Sequence, residues 1–202
     1  MKLTKLIATI LGSGILCSVI SCSPKTISTK YYYKHKKELD RIEESYKKLY
    51  PQQPFTIAFT DKQFKILSLK IITDTLSYVY QFTVNETRIT DTLVAYHLNA
   101  PAIVELIQRM QSIRCTWVNK FDYYVDEKKN TVILMSVKPV AVNTPFSYKK
   151  YYTLSYFPQP QYFDSAGNLL DKRKLRRLRK INGEVFTRIN DKVCYTLTGN
   201  FR

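Results

Sequence analysis

The densest group of chemically active side chains in the sequence is a cationic cluster near the C-terminus. Seven of the nine residues from 172 to 180 are basic: Lys172, Arg173, Lys174, Arg176, Arg177, Arg179 and Lys180. The interruptions, Leu175 and Leu178, are three residues apart, so on a helix they would share one face and dock on the core. The cations would then face outward and bind anionic groups, each contributing about 1 kcal/mol close to an anionic lipid surface. The alternative is a solvated helix face without a partner.

Residues typical of catalytic centres are few and scattered. The two histidines, His35 and His97, lie far apart and have no metal-binding spacing. The sequence contains neither the G-x-S-x-G elbow of hydrolases nor the H-E-x-x-H motif of zinc proteases. We therefore expect no cofactor and no metal, and we favour a non-enzymatic protein. The enzymatic alternative is a cell-wall or glycan-processing enzyme with a carboxylate such as Glu105 or Asp122 in a cleft.

Three tripeptides place a hydroxyl side chain between Asp and an aliphatic or small residue. They are Asp74-Thr75-Leu76, Asp91-Thr92-Leu93 and Asp164-Ser165-Ala166. These tripeptides resemble the O-glycosylation sites of exported proteins in one Gram-negative phylum. The resemblance makes Thr75, Thr92 and Ser165 candidate attachment sites, and Ser165 is the best placed because it lies in a predicted turn. A motif of three residues also occurs often by chance.

Two types of element must position these side chains. Apolar residues at alternating spacings of three and four predict a helix over residues 29–50. Pro51, which follows it, marks the end of the helix. We expect this helix to lie on the sheet of its own domain. The alternative is a docking element for a subunit of an envelope secretion or transport machine.

The remainder of the chain reads mainly as strands joined by turns. Asn99 and Pro101 predict the start of a helix that runs to residue 113, and a short basic helix is expected over 170–181. The fold class predicted is α+β, with an antiparallel sheet of about eight short strands and helices packed to one side. The predicted strands cover 55–60, 64–72, 75–84, 92–98, 116–125, 131–138, 151–157, 184–189 and 192–198.

The N-terminus has the composition of a secretory signal. Lys2 and Lys5 precede an apolar stretch over residues 6–20, which is shorter than the roughly 20 apolar residues of a membrane span. The segment Val19-Ile20-Ser21-Cys22 resembles the lipobox of bacterial lipoproteins, although the commonest form has Leu in the first position and Ala or Gly in the third. The resemblance implies cleavage before Cys22, diacylglyceryl attachment to its sulfur and acylation of the new amine. The alternative is an uncleaved anchor helix.

The same resemblance implies a location and a domain organisation. Residues 1–21 would be removed, residues 22–28 would form a lipidated tether, and residues 51–202 would form a single α+β domain behind the helix over 29–50. Sorting rules for such lipoproteins favour the outer membrane when Asp does not follow the lipidated Cys, and Ser23 follows it here. We expect an outer-membrane lipoprotein that faces the periplasm, with another membrane as the alternative.

Two cysteines remain in the mature chain, Cys115 and Cys194. An even pair in an oxidising compartment predicts a disulfide between them. It would close a loop of about 80 residues and stabilise the fold by roughly 4 kcal/mol in the chain-entropy model. The alternative is two separately buried thiols.

The charge balance indicates the class of partner. The net charge is +16, and removal of Lys2 and Lys5 with the signal leaves +14. Such a surplus favours anionic partners, which in the periplasm are anionic lipids, lipopolysaccharide and cell-wall polymers rather than nucleic acid. The sequence therefore predicts a lipid-anchored envelope protein that binds an anionic component or supports an assembly with an envelope protein partner.

Overall fold

A computed structural model describes residues 23–125, 127–139, 150–171, 176–199 and 201. Its first element is a long helix, α1, from Pro24 to Leu49. The Ser23 hydroxyl caps the helix by accepting a hydrogen bond from the Thr26 amide at 3.3 Å, and Pro24 suits the first turn because that position needs no amide donor. The helix begins five residues before the predicted start, so residues 24–28 belong to it. The predicted tether over residues 22–28 is wrong to that extent.

Two further helices lie between the strands. Helix α2 runs from Thr87 to Ala95 and helix α3 from Ala100 to Ser112. The predicted cap of α3 is confirmed, because the Asn99 side-chain oxygen accepts a hydrogen bond from the Ala102 amide at 3.1 Å. The strand predicted over 92–98 is wrong, since most of it lies in or just after α2. Ile89 and Leu93 are four residues apart and both buried, which is the spacing of one helix face.

The strands confirm the predicted α+β class. Eight of them form one antiparallel sheet in the spatial order β3-β2-β1-β4-β5-β6-β10-β9, and β7 pairs with β8 separately. The bounds are β1 Phe55–Phe59, β2 Ile66–Ile72, β3 Ser77–Thr83, β4 Trp117–Val125, β5 Lys128–Pro139, β6 Tyr151–Tyr156, β7 Lys180–Ile181, β8 Glu184–Val185, β9 Thr187–Arg188 and β10 Val193–Thr198.

Side chains on the two faces of the sheet form two separate cores. On β5, Ile133 and Met135 face the helices, whereas Val132 and Leu134 face the opposite side, as the alternation of a strand requires. Helix α1 packs on β5, β6 and β10 and against α3, which confirms that it lies on the sheet of its own domain. The opposite face is covered by the C-terminal segments, including β7 and the β8–β9 region.

The basic helix predicted over 170–181 is wrong. Leu170 and Leu178 form an antiparallel bridge, the Asp171 amide donates to the Arg177 carbonyl at 2.9 Å, and the Arg179 amide donates to the Leu169 carbonyl at 2.8 Å. These bonds make a hairpin that continues into β7. A helix here would set like charges three and four residues apart along its surface, which is destabilising. Leu178, expected to dock on the core, is 40% exposed.

Candidate functional site

The structure places the described part of the basic cluster on a hairpin, named here the cationic hairpin (residues 170–171 and 176–180). Arg176, Arg177 and Lys180 are exposed, and none of them forms an ion pair with a carboxylate among the residues that the structure describes. The flanks of the hairpin are fixed because Leu169 and Ile181 are buried in the core opposite α1. Lys172, Arg173 and Lys174 lie outside the described residues. The hairpin therefore presents unneutralised cations from a fixed base.

Arg179 differs from its neighbours because its side chain turns inward. Its guanidinium donates to the Gln161 side-chain oxygen at 3.0 Å, and its Nε atom is buried without a partner in the described chain. Burial raises the pKa of Tyr123, and the charge and hydrogen bond of Arg179 act against that rise. Arg179 was predicted as an anion-binding residue, but its contacts instead tie the cationic hairpin to β4.

A second candidate site is a groove between α1 and the sheet, which the sequence did not predict. It consists of two adjoining cavities of about 310 and 450 Å³. Both cavities are lined by Glu43, Lys47, Tyr156 and Pro158. The lining residues come from α1, from the sheet and from loops beside it, so no local motif in the sequence could have shown them together.

Acidic, basic and aromatic side chains line this groove. Burial raises the pKa of Glu43, and the Lys47 charge opposes that effect. The Tyr156 hydroxyl is buried without a hydrogen-bond partner in the described chain, and burial raises its pKa. Lys120 holds its ammonium 4.6 Å from the centre of the Tyr50 ring. The groove has the size and lining to hold a small polar molecule.

The carboxylates suggested for catalysis are both ion-paired, although Asp122 lies close to the groove, 4.0 Å from the ammonium of Lys120, which lines it. Glu105 is exposed on α3 and pairs with Arg109 at 2.6 Å, while Asp122 on β4 pairs with Lys129 at 2.8 Å. Neither lines the two cavities of the groove. The His35 ring packs at a tilt against the ring of Tyr31 in α1, with centroids 4.7 Å apart, and burial lowers the pKa of His35. The structure does not bring these candidates together.

The predicted disulfide is wrong. Cys115 and Cys194 are both buried free thiols, and they lie in different cores on opposite faces of the sheet. The sheet itself separates them, so their sulfur atoms cannot approach to bonding distance. Burial raises the pKa of Cys115 to about 12 and also raises the pKa of Cys194. Neither thiol is a nucleophile in the folded protein.

The candidate glycosylation sites fall in different environments. Thr75 is exposed in the turn between β2 and β3 rather than at the start of a strand. Ser165 is exposed in a turn that Asp164 closes by accepting a hydrogen bond from the Asn168 amide at 2.7 Å. Thr92 lies half-buried within α2. Glycosylation of these three residues stays a prediction, with the two turn positions the more accessible.

The predicted signal peptide, over residues 1–21, and the predicted lipidation site Cys22 lie outside the described residues. Within the described ranges, no helix is long and apolar enough to cross a membrane, and no three residues among His, Cys, Asp and Glu are grouped so as to hold a metal ion. No family model, curated protein or solved structure matches this chain.

Proposed function

We propose that this protein is a non-enzymatic, lipid-anchored binding or assembly protein of the cell envelope, which faces the periplasm from the outer membrane. Its cationic hairpin would contact anionic envelope components, such as lipopolysaccharide, anionic lipid or cell-wall polymer. The observation that carries the proposal is the exposure of Arg176, Arg177 and Lys180 without a carboxylate partner in the described chain.

The fixed base of the hairpin supports this role. Leu169, Ile181 and Phe186 are almost completely buried beneath it, and Arg179 ties it to neighbouring side chains. Because this base is already held in place, it loses little entropy when a ligand binds beside it. Arginine also suits phosphate and carboxylate groups, because its planar guanidinium can donate two parallel hydrogen bonds.

The alternative functions have less support. A docking role for α1 would need an apolar face free for a partner, but the apolar stripe of α1 is buried in its own domain, at residues such as Leu39 and Ile42. An enzymatic role through Glu105 or Asp122 would need a cleft that these carboxylates line, but neither lines the groove and each is ion-paired.

Co-sedimentation tests the role of the cationic hairpin. The chain from residue 23 to 202 is mixed with neutral vesicles, anionic vesicles or lipopolysaccharide aggregates at low and high salt. We expect salt-sensitive binding to the anionic particles. Replacement of Arg176, Arg177 and Lys180 by Ser should weaken it by about 3 kcal/mol, roughly a hundredfold, because three cations are lost.

The matched control removes the same charge elsewhere. Lys62 and Lys65, just before β2, and Lys128, at the start of β5, are exposed lysines elsewhere on the surface, and their replacement by Ser should reduce binding much less. Circular dichroism confirms that each variant is folded. Equal binding by the two triple variants would show that overall charge, rather than the hairpin, attracts the particles.

A further inference from the structure

The outward face of α1 carries a second cationic surface in the half of the helix nearest the N-terminus. Lys30, Tyr33, Lys34 and Lys37 are spaced so that they share one helix face, and all four are exposed. Tyr33 is 60% exposed, which is unusual for so large an aromatic side chain. We name these four residues the lysine stripe. The stripe lies on the opposite side of α1 from the buried residues that pack on the sheet.

The cations of the lysine stripe are not neutralised by neighbours. No described carboxylate lies within ion-pairing distance of the three lysines, whereas the adjacent Lys36 pairs with Asp40 at 2.5 Å and Arg41 pairs with Glu38 at 2.8 Å. Glu38 is the first acidic residue of the whole sequence. The positive electrostatic potential of the lysine stripe therefore extends into solvent.

In the proposed function, the chain reaches the membrane directly before this helix. The apolar stretch over residues 6–20 ends two residues before Cys22, and α1 begins at Pro24. A lipid on Cys22 and an uncleaved anchor helix would both put the bilayer surface within a few residues of Pro24. With a rise of 1.5 Å per residue, Lys30 and Lys37 lie about 10 and 20 Å from the start of the helix.

The orientation of α1 decides whether these lysines reach the bilayer. Electrostatic attraction decays over about 8 Å at physiological salt. A helix standing upright on the membrane would keep Lys34 and Lys37 beyond that range, whereas a helix lying flat would bring the whole stripe to the headgroups. Tyr33 would then lie at the interface, where tyrosine side chains are favoured.

We infer that α1 lies flat on the bilayer that holds the N-terminus, with the lysine stripe against anionic lipid headgroups. The cationic hairpin is on the other face of the sheet, about 20 Å away across the layers, and so points away from that bilayer. The inference rests on the membrane attachment in the proposed function but not on what the hairpin binds.

Lysine acylation tests the inference on the full-length chain. The protein is reconstituted in neutral phosphatidylcholine vesicles or in vesicles with about 30% phosphatidylglycerol, then treated with a water-soluble acylating reagent and analysed by mass spectrometry. We expect Lys30, Lys34 and Lys37 to react about fivefold more slowly on the anionic vesicles, and salt of about 0.5 M to remove the difference. Lys180 and Lys128 should react equally on both.

A fluorescence experiment checks the same contact independently. Trp117, the single tryptophan, is buried, so a Tyr33→Trp variant adds one exposed probe. We expect brominated lipids in anionic vesicles to quench this probe. Quenching should be lost when Lys30, Lys34 and Lys37 are changed to Glu, and kept when Lys62, Lys65 and Lys128 are changed to Glu.

The outcomes separate the two proposals. Protection of Lys180 instead of the stripe would place the hairpin against the anchoring bilayer and overturn the inference. Equal reactivity of every lysine on both vesicles, with an unquenched probe, would overturn it as well. Neither result decides whether the hairpin binds soluble lipopolysaccharide, because the co-sedimentation experiment measures that separately.

Discussion

At the scale of single residues, burial keeps the interior uncharged. The hydroxyl of Tyr46 is buried and donates to the Phe55 carbonyl at 2.5 Å, and burial raises its pKa well above the ordinary value. Burial acts in the same direction on Cys115 and Cys194. These three groups are therefore uncharged at neutral pH, and none of them offsets the positive surplus of the chain.

The two cysteines give a prediction about reactivity and pH. A thiol with a pKa of about 12 is charged in only about one molecule in ten thousand at pH 8, so Cys115 should not react with thiol reagents in the native protein. Raising the pH from 7 to 9 should bring no native reaction on the time scale of minutes. Both thiols should react at once in denaturant.

Mass spectrometry under non-reducing conditions provides the check on pairing. Alkylation in denaturant without reductant should add two groups to Cys115 and Cys194. A protein that takes up no label until it is reduced would contain the disulfide and would contradict the arrangement on opposite faces of the sheet. A Cys194→Ser variant serves as the control, since it should take up one label fewer.

At the scale of elements, local patterns predicted those helices and strands whose ends carry their own signals. Asn99 followed by Pro101 marks the start of α3, and Pro51 follows the end of α1 closely. Strands β4, β5 and β10 were predicted close to their observed positions, whereas the strand predicted over 184–189 is divided into β8, which pairs with β7, and β9, which pairs with β10.

Two elements were predicted with the wrong type for physical reasons. In the basic segment over 170–181, two leucines have the spacing of one helix face, and this spacing led to the prediction of a helix. A helix would bring neighbouring cations together, and their repulsion would destabilise it. The backbone pairs as a hairpin instead. Residues 92–98 form a short, mainly apolar run, which by itself does not distinguish a strand from a helix. The segment is a helix because helical spacing buries Ile89 and Leu93 together on one face. The core that covers this face is formed by distant parts of the chain, so the local sequence does not show it.

The cap of α3 gives a prediction at this scale. Asn99→Ala removes the acceptor for the Ala102 amide and should lower the free energy of unfolding by about 1 kcal/mol. Urea denaturation monitored by circular dichroism measures the change. Asn99→Ser keeps a capping oxygen and should cost only a few tenths of a kcal/mol. An Ala variant as stable as the Ser variant would show that the cap contributes little.

At the scale of the whole molecule, the sheet separates two cationic surfaces. The lysine stripe lies on the layer of α1, and the cationic hairpin lies on the opposite layer, so one planar bilayer cannot contact both at once. If both proposals hold, the domain holds an anionic component at a distance of about 20 Å from the membrane to which it is attached. Such an arrangement suits a protein that connects the membrane to another part of the envelope.

Membrane attachment has its own test. We expect the native protein to lack residues 1–21 and to carry acyl groups on Cys22, which mass spectrometry of the N-terminal peptide would detect. Cys22→Ala should leave residues 1–21 in place, because cleavage of a lipoprotein signal requires the lipidated cysteine. A native protein with an unmodified Cys22 and an intact signal would instead indicate an anchor helix.

The sequence by itself determined the fold class, the ends of α1 and α3 to within five residues, and the strong positive charge. These properties depend on composition, periodicity and short capping signals, all of which are local. Only the tertiary structure decided that Cys115 and Cys194 lie on opposite faces, that the basic segment is a hairpin, and that a groove forms beside α1. The order of the strands in the sheet determines which distant residues become neighbours, and those three features depend on these neighbours.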